Sequence, residues 1–267
     1  MSSSHPPDGQ PKPETILSKA KSVSRIGGTV LRPAHPWTPF VHDFLRHLER
    51  VGFTAAPAVP GTGFAPDGRE TLHYIEGEFV HPGPWSDEAL IEVGRLLRTL
   101  HDAAASYTPP AGALWQPWFL RSLGDSRRVI SHGDVAPWNT VTRGGTPVAL
   151  IDWEFAGPVD PLTELARVCW LFPQLHDDDV AERNGLPPLA VRARQLRLLA
   201  DAYGLGAAER RLLLDRIVEV AVCETAEEAI EARVNPDSVG PLWGLAWRAR
   251  AAAVVLRNRS VLERALA

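Results

Sequence analysis

His132-Gly133-Asp134-Val135-Ala136-Pro137-Trp138-Asn139, followed by Ile151-Asp152-Trp153-Glu154, is the stretch on which the fold of this chain turns. Between the two motifs, residues 139–152 form two β-prone runs around Gly144-Gly145, the pattern of a two-residue hairpin turn. If Arg143 pairs with Thr146, Asn139 faces Leu150. Alternation then points Asp152 to the same side as Asn139, one diagonal step of roughly 7–8 Å away. Pro137 rules out a continuous helix or strand between Asp134 and Asn139, so a bent loop must hold Asp134 beside the same point. A carboxylate there suits accepting a proton from an attacking hydroxyl, and two oxygen-bearing side chains suit Mg²⁺, which keeps waters and phosphate oxygens as its other ligands. Phosphoryl transfer needs this layout.

On the N-terminal side, residues 1–14 are rich in Ser, Pro and Gly and read as a disordered tail. Val23–Arg32 carries two β-type runs around Gly27-Gly28, a second hairpin. From Thr38 to Val51, Phe40, Val41, Phe44, Leu45 and Leu48 fall on one helical face, with Gly52 as C-cap. Residues 70–75 read as a strand that Glu76-Gly77 breaks. Residues 15–75 thus form a small, β-rich α+β lobe. Beyond it, Ser86 is placed to cap a long helix with Leu90, Val93, Leu96, Leu97 and Leu100 on its face. Helical patterns near 189–203, 207–233 and 241–264 make residues 76–267 a large, mainly helical lobe.

The chain has 267 residues, with 28 Lys and Arg against 32 Asp and Glu. That mildly acidic balance lacks the basic footprint of nucleic-acid binding. Cys169 and Cys223 lie far apart without metal-ligand spacing and read as free thiols. No apolar run approaches the roughly 20 residues that span a bilayer, and the start does not resemble a signal sequence, so a cytoplasmic location is expected and no membrane partner. The only lysines are Lys12, Lys19 and Lys21. A phosphate-binding GxxxxGK[ST] loop is absent, as is an HExxH zinc motif.

HGDxxxxN followed by IDWE resembles the aminoglycoside phosphotransferase and choline kinase-like family, relatives of the protein kinases, and the resemblance runs from about residue 15 to the end. It implies a two-lobed protein-kinase-like fold with ATP (or GTP) and Mg²⁺ in the cleft. By this resemblance Asp134 is the catalytic base, Asn139 and Asp152 hold the metal, and His132 orders the loop without transferring protons. Tyr74 and Ile75 would present backbone groups to adenine, with Ile151 in the apolar floor beneath it. The implied reaction moves the γ-phosphoryl group to a hydroxyl of a small acceptor such as an aminoglycoside or related antibiotic.

The family's phosphate-positioning lysine on the third small-lobe strand is here Arg32, and Val41 or His42 stands where its partner glutamate is expected. Arginine is not a conservative replacement at a tight phosphate site. Three readings stay open: Arg32 takes the phosphate role, Lys19 or Lys21 takes it, or nucleotide handling is degraded and the chain is a silent nucleotide-binding or regulatory module.

For the acceptor, Glu224, Glu227, Glu228 and Glu231 share one helical face, which would either receive a polycation or lie solvated. Asp160 and Glu164 follow the second motif and would order its loop or approach the acceptor. Asp177-Asp178-Asp179 is placed to cap a helix. Trp115, Trp118, Trp138, Trp153 and Trp170 would either pack the core or box a quaternary amine. His101-Asp102 reads as a helix-end dipole partner.

Overall fold

In the computed structural model, residues 13–125, 127–240 and 242–267 are described. The small lobe is a four-stranded antiparallel sheet of β1 (Glu14–Ser18), β2 (Val23–Ile26), β3 (Thr29–Arg32) and β4 (Glu70–His73), in that spatial order, with α1 (Thr38–Arg50) between β3 and β4. Gly27-Gly28 turns β2 into β3 so that Ile26 pairs with Thr29. α1 starts with proline in its first turn and buries Val41, Phe44, Leu45 and Leu48.

β1 begins at Glu14, inside the stretch read as a tail, because Glu14 pairs with Ile26 and its carboxylate receives Arg69 at 2.6 Å. Residues 1–12 of that expected tail lie outside the described residues. Strand β4 ends at His73, two residues short of the expected limit.

The large lobe opens with α2 (Asp87–Ala104), capped by the Ser86 hydroxyl accepting from the Ala89 amide at 3.2 Å. Four short strands follow: β5 (Val129–Ser131), β6 (Thr140–Arg143), β7 (Thr146–Leu150) and β8 (Gly157–Val159), paired β5 with β8 and β6 with β7. Then come α3 (Pro161–Leu171), α4 (Asp178–Arg183), α5 (Leu189–Tyr203), α6 (Ala207–Glu231), α7 (Trp243–Arg257) and α8 (Arg259–Leu266). α5 packs on α2 and α8, and α6 packs on α3 and α7. No helix among the described residues is long and apolar enough to cross a membrane.

The β6–β7 register departs from the sequence reading. Arg143 does pair with Thr146, but a bulge follows: Thr142 faces Pro147, Val141 faces Ala149 and Thr140 faces Leu150. Pro147 has no N–H to donate, so the ladder skips Val148 beside it. Asn139 therefore lies opposite Ile151, whose amide donates to the Asn139 carbonyl at 2.9 Å, and not opposite Leu150. A one-residue slip moves every later side chain to the other face. Asp152 returns to the Asn139 side by a different device: its backbone is left-handed, φ 66° and ψ 59°, a conformation costing an L-residue about 1–2 kcal/mol.

The lobes meet at the motifs. The Leu150 amide at the end of β7 donates to the Ala55 carbonyl of the small lobe at 2.9 Å. Phe44 of α1 meets the edge of buried Trp153, whose indole donates to the Leu150 carbonyl at 2.8 Å.

Candidate active site

The loop carrying Asp134 is fixed by its own backbone and by two helices. Gly133 has φ 78°, and a Cβ there would sit 2.3 Å from the Phe155 carbonyl, so only glycine fits. His132 bridges the motifs: Nε2 donates to the Ile151 carbonyl at 2.9 Å and Nδ1 accepts from the Asp134 amide at 3.1 Å. Burial holds the His132 pKa down, and both ring nitrogens are occupied, which suits a structural imidazole. Beneath the loop, Glu164 of α3 accepts from the Gly133 amide and from His101 Nε2, each at 2.7 Å, while His101 Nδ1 meets the Tyr203 hydroxyl at 2.8 Å. His101, in the last turn of α2 as expected, is also a buried strut between α2, α3 and α5.

Asp134 is 8% exposed. One carboxylate oxygen receives the Asn139 amide at 2.8 Å, which turns the Asn139 oxygen to other partners, and the other pairs with Arg167 of α3 at 2.8 Å. Burial pushes the Asp134 carboxyl up to about 6, against the pull of Arg167 and with the help of Glu224 and Asp152. A carboxylate poised near neutral pH is what a general base requires.

The cleft between the lobes encloses about 740 Å³ and is lined by Arg32, Tyr74, Ile75, Asn139, Ile151 and Asp152 among others. The Tyr74 amide is already given to the Gly28 carbonyl at 2.8 Å, and the Arg25 guanidinium lies 3.6 Å from the centre of its ring. That commits the amide of Tyr74, one of the backbone groups expected to face adenine.

Arg32 binds Asp152 at 2.9 Å and also pairs with Glu70 on β4, directly opposite it in the sheet. Glu70 in turn receives His42 Nε2 of α1 at 2.8 Å. Arg32 thus has a carboxylate partner on a strand, and His42 links that partner to α1. Lys21, in the β1–β2 turn, reaches Asp152 and Glu154, each at 2.8 Å. Burial works to raise the Asp152 carboxyl, but Arg32 and Lys21 outweigh it and hold the group below the usual range. Glu70 and Lys21 are the site residues that the sequence reading missed or left undecided.

A family model described as the phosphotransferase enzyme family matches residues 113–214, the span that holds both motifs. A trifolitoxin immunity protein of Rhizobium leguminosarum bv. trifolii is 54% identical over 248 residues, covering 92% of this chain and 95% of its own. The chain belongs to the phosphotransferase enzyme family. Its fold is protein-kinase-like. A choline/ethanolamine kinase family protein from Mesorhizobium loti superposes with TM-score 0.57 at 19% identity, covering 95% of this phosphotransferase and 92% of its own chain. An amicoumacin kinase solved in complex with AMP-PNP and Ca²⁺ gives 0.62 at 15% identity, covering 94% and 88%.

The residues expected to face an acceptor are differently engaged. Asp160 is the N-cap of α3, accepting from the Thr163 amide at 2.8 Å and hydroxyl at 3.0 Å. Glu224 is not on an open acidic face: it is 4% exposed and its two oxygens are held by Arg167 and Arg248, at 2.9 and 3.2 Å. Glu228, at the surface, pairs with the same Arg248 at 3.2 Å. Asp177 occupies an N-cap position on α4, yet its carboxylate binds Arg250 and Arg257, not the helix amides. In this phosphotransferase the arginines of α3 and α7 neutralise the acidic groups of α4 and α6.

Proposed function

We propose that this phosphotransferase moves the γ-phosphoryl group of ATP to a hydroxyl of a small molecule, with Asp134 as the base. The observation that carries the reading is the buried Asp134 carboxyl, raised to about 6 and tied through Asn139 to the wall of the cleft that bears Asp152. The acceptor hydroxyl gives its proton to Asp134 as its oxygen attacks the γ-phosphorus, the bond to the β-phosphate oxygen breaks, and ADP departs.

The donor set fits Mg²⁺. One carboxylate and one amide oxygen leave room for waters and phosphate oxygens, and no cluster of three or more His, Cys, Asp or Glu suited to a closed site occurs among the described residues. Asn139 and Asp152 would hold the ion, which when bound neutralises charge on the phosphates. Arg32, buttressed by Glu70, and Lys21 are both cations on Asp152 and both line the cleft, so both are assigned to grip phosphate. Glu70 answers one of the two motives for a silent module, the absent helix glutamate, and leaves the other, arginine in place of lysine at position 32.

The AMP-PNP complex of the amicoumacin kinase supports ATP, and the trifolitoxin immunity relative supports an acceptor of toxin or antibiotic type that phosphorylation disarms. An ATP-consuming step and two free thiols support a cytoplasmic location. Radiolabelled ATP with Mg²⁺ and a panel of hydroxyl-bearing antibiotics is the direct test. Asp134→Ala should lower transfer by about 100- to 10,000-fold while the protein stays folded. Transfer at the wild-type rate by that variant refutes the assignment.

A further inference from the structure

Trp138, between Asp134 and Asn139, lines the nucleotide cleft and also a second cavity of about 250 Å³. Trp243 and Trp247 of α7, His81, Gln174 and His176 complete the part of its wall that matters here. Arg167 lies 5.9 Å from the Trp138 ring centre and pairs with Asp134 at 2.8 Å, so this cavity is one side chain away from the base. Its volume falls below the roughly 300–1,000 Å³ of a site that encloses a drug-sized molecule, and fits one end of such a molecule.

An aromatic box commonly signals an amine, but this one is built against it. Each of its three indoles already carries a guanidinium of the chain: Arg167 at 5.9 Å from Trp138, Arg248 at 4.6 Å from Trp247 and Arg250 at 5.7 Å from Trp243. None of the lining residues is an Asp or Glu. The nearby carboxylates are spent on the same arginines, Glu224 and Glu228 on Arg248, Asp177 and Asp179 on Arg250. A cation entering here would lose its water, meet three like charges and find no counter-charge.

Two unpartnered polar atoms belong to residues of the wall. Gln174, 2% exposed, donates through Nε2 to the Gly83 carbonyl at 2.8 Å, which fixes its amide, and its Oε1 is buried without a partner. His176 Nδ1 is likewise buried and unpartnered. Burial pushes the His176 imidazole down to about 4, so the ring stays neutral at physiological pH. An unpartnered buried acceptor is costly unless a ligand supplies the donor.

We infer that this cavity takes a neutral aromatic or heteroaromatic ring of the acceptor, with an N–H or O–H on its edge directed at Gln174 Oε1, and that amine-rich acceptors are rejected. The word acceptor rests on the phosphotransferase reading, whereas ring binding does not. Trp247 is backed by Trp170, ring centres 5.3 Å apart, so the walls offer the ring apolar contact through the indole edges and the parts of the faces left uncovered, and Trp138 stands four residues from Asp134 in the same loop.

The test is a titration of ¹⁵N-labelled full-length protein, without nucleotide, read at the indole Nε1–H resonances of Trp138, Trp243 and Trp247. The probes are tryptophol, choline and kanamycin. Tryptophol should shift these three resonances saturably at or below about 10 mM, and the two amines should not. Trp243→Ala removes a wall residue that is 47% exposed, so the fold survives, and should weaken tryptophol about fivefold to tenfold. Gln174→Met, which removes the acceptor oxygen, should weaken it by a similar factor.

No tryptophol shift, saturation by choline or kanamycin at equal or lower concentration, or unchanged affinity in both variants overturns the inference. Because no turnover is measured, a failed kinase assay leaves the binding result standing. Phosphorylation of kanamycin by a protein that ignores tryptophol would overturn the cavity assignment alone.

Discussion

Asp134→Asn should remove the activity and, with it, a fall in stability between acid and neutral pH. The carboxyl is 8% exposed, and its pKa rises from the ordinary 3.8 to about 6 because burial outweighs the Arg167 ion pair. Folded, the group keeps its proton to higher pH than it does unfolded. Between about pH 4 and about pH 6 the folded state therefore binds more protons, and stability falls as pH rises, by about 3 kcal/mol in all, a loss that persists above pH 6.

Asparagine preserves the shape and carries no titration, but its single oxygen can accept from Asn139 or from Arg167 and not from both, which adds an offset that does not vary with pH. Glu224 still neutralises Arg167 in the variant. Urea unfolding of both proteins at intervals from about pH 4 to about pH 8 should show a gap that moves by about 3 kcal/mol in the variant's favour from the acid to the neutral end. A gap that stays constant with pH would mean that Asp134 is not held above its ordinary pKa, and the argument for a poised base would fall with it.

Arg167→Met removes the charge that opposes this rise, so the acid limb of the kcat/KM profile, expected near pH 6 in the wild type, should move up by about one unit or more. An unmoved limb would assign it to another group. Glu70→Gln takes the buried counter-charge from Arg32 and should raise the dissociation constant of an ATP analogue about 10- to 100-fold, measured by fluorescence titration; unchanged affinity would free Arg32 of any phosphate role. Gly133→Ala forces a Cβ to within 2.3 Å of the Phe155 carbonyl at φ 78°, and should cost about 2 kcal/mol or more in thermal or urea unfolding.

How much of this was legible in the sequence depended on whether the signal was local. The Ser86 cap of α2 and the 3.6-residue patterns of α5 and α6 need only neighbours in the chain, and each helix lies where its pattern put it. The hairpin turn at Gly144-Gly145 was equally local. Its register was not, yet Pro147 carried the warning, since a residue without an N–H interrupts a ladder. α3 has Asp160 and Pro161 as a start signal, but nearly all its side chains are buried, so it shows no polar face from which to read a period.

β1 was obscured for the opposite reason: Ile16 and Leu17 are 62% and 46% exposed at the sheet edge, in a strand that follows a polar tail. The contribution of Glu70 depends on β3 pairing with β4 across the whole length of α1, which no local pattern reveals. Spacing on α6 does place Glu224 and Glu228 on one face, but spacing is silent on what that face meets, and it meets Arg248.

The charges Asp134, Arg167, Glu224 and Arg248, the first three of them buried, follow one another with alternating sign from the Asp134 loop to α7. Removing Arg167 or Glu224 from the middle of the run upsets the charges on either side, so an alanine scan would report positions that do not meet the proposed acceptor hydroxyl alongside Asp134. Charge-matched double replacements, for example Arg167→Met with Glu224→Gln, separate the two kinds of loss. Anyone reshaping the aromatic cavity for a new acceptor through α7 inherits the same constraint: Arg248 cannot be exchanged freely, because it holds Glu224, which in turn holds the Arg167 that pairs with Asp134.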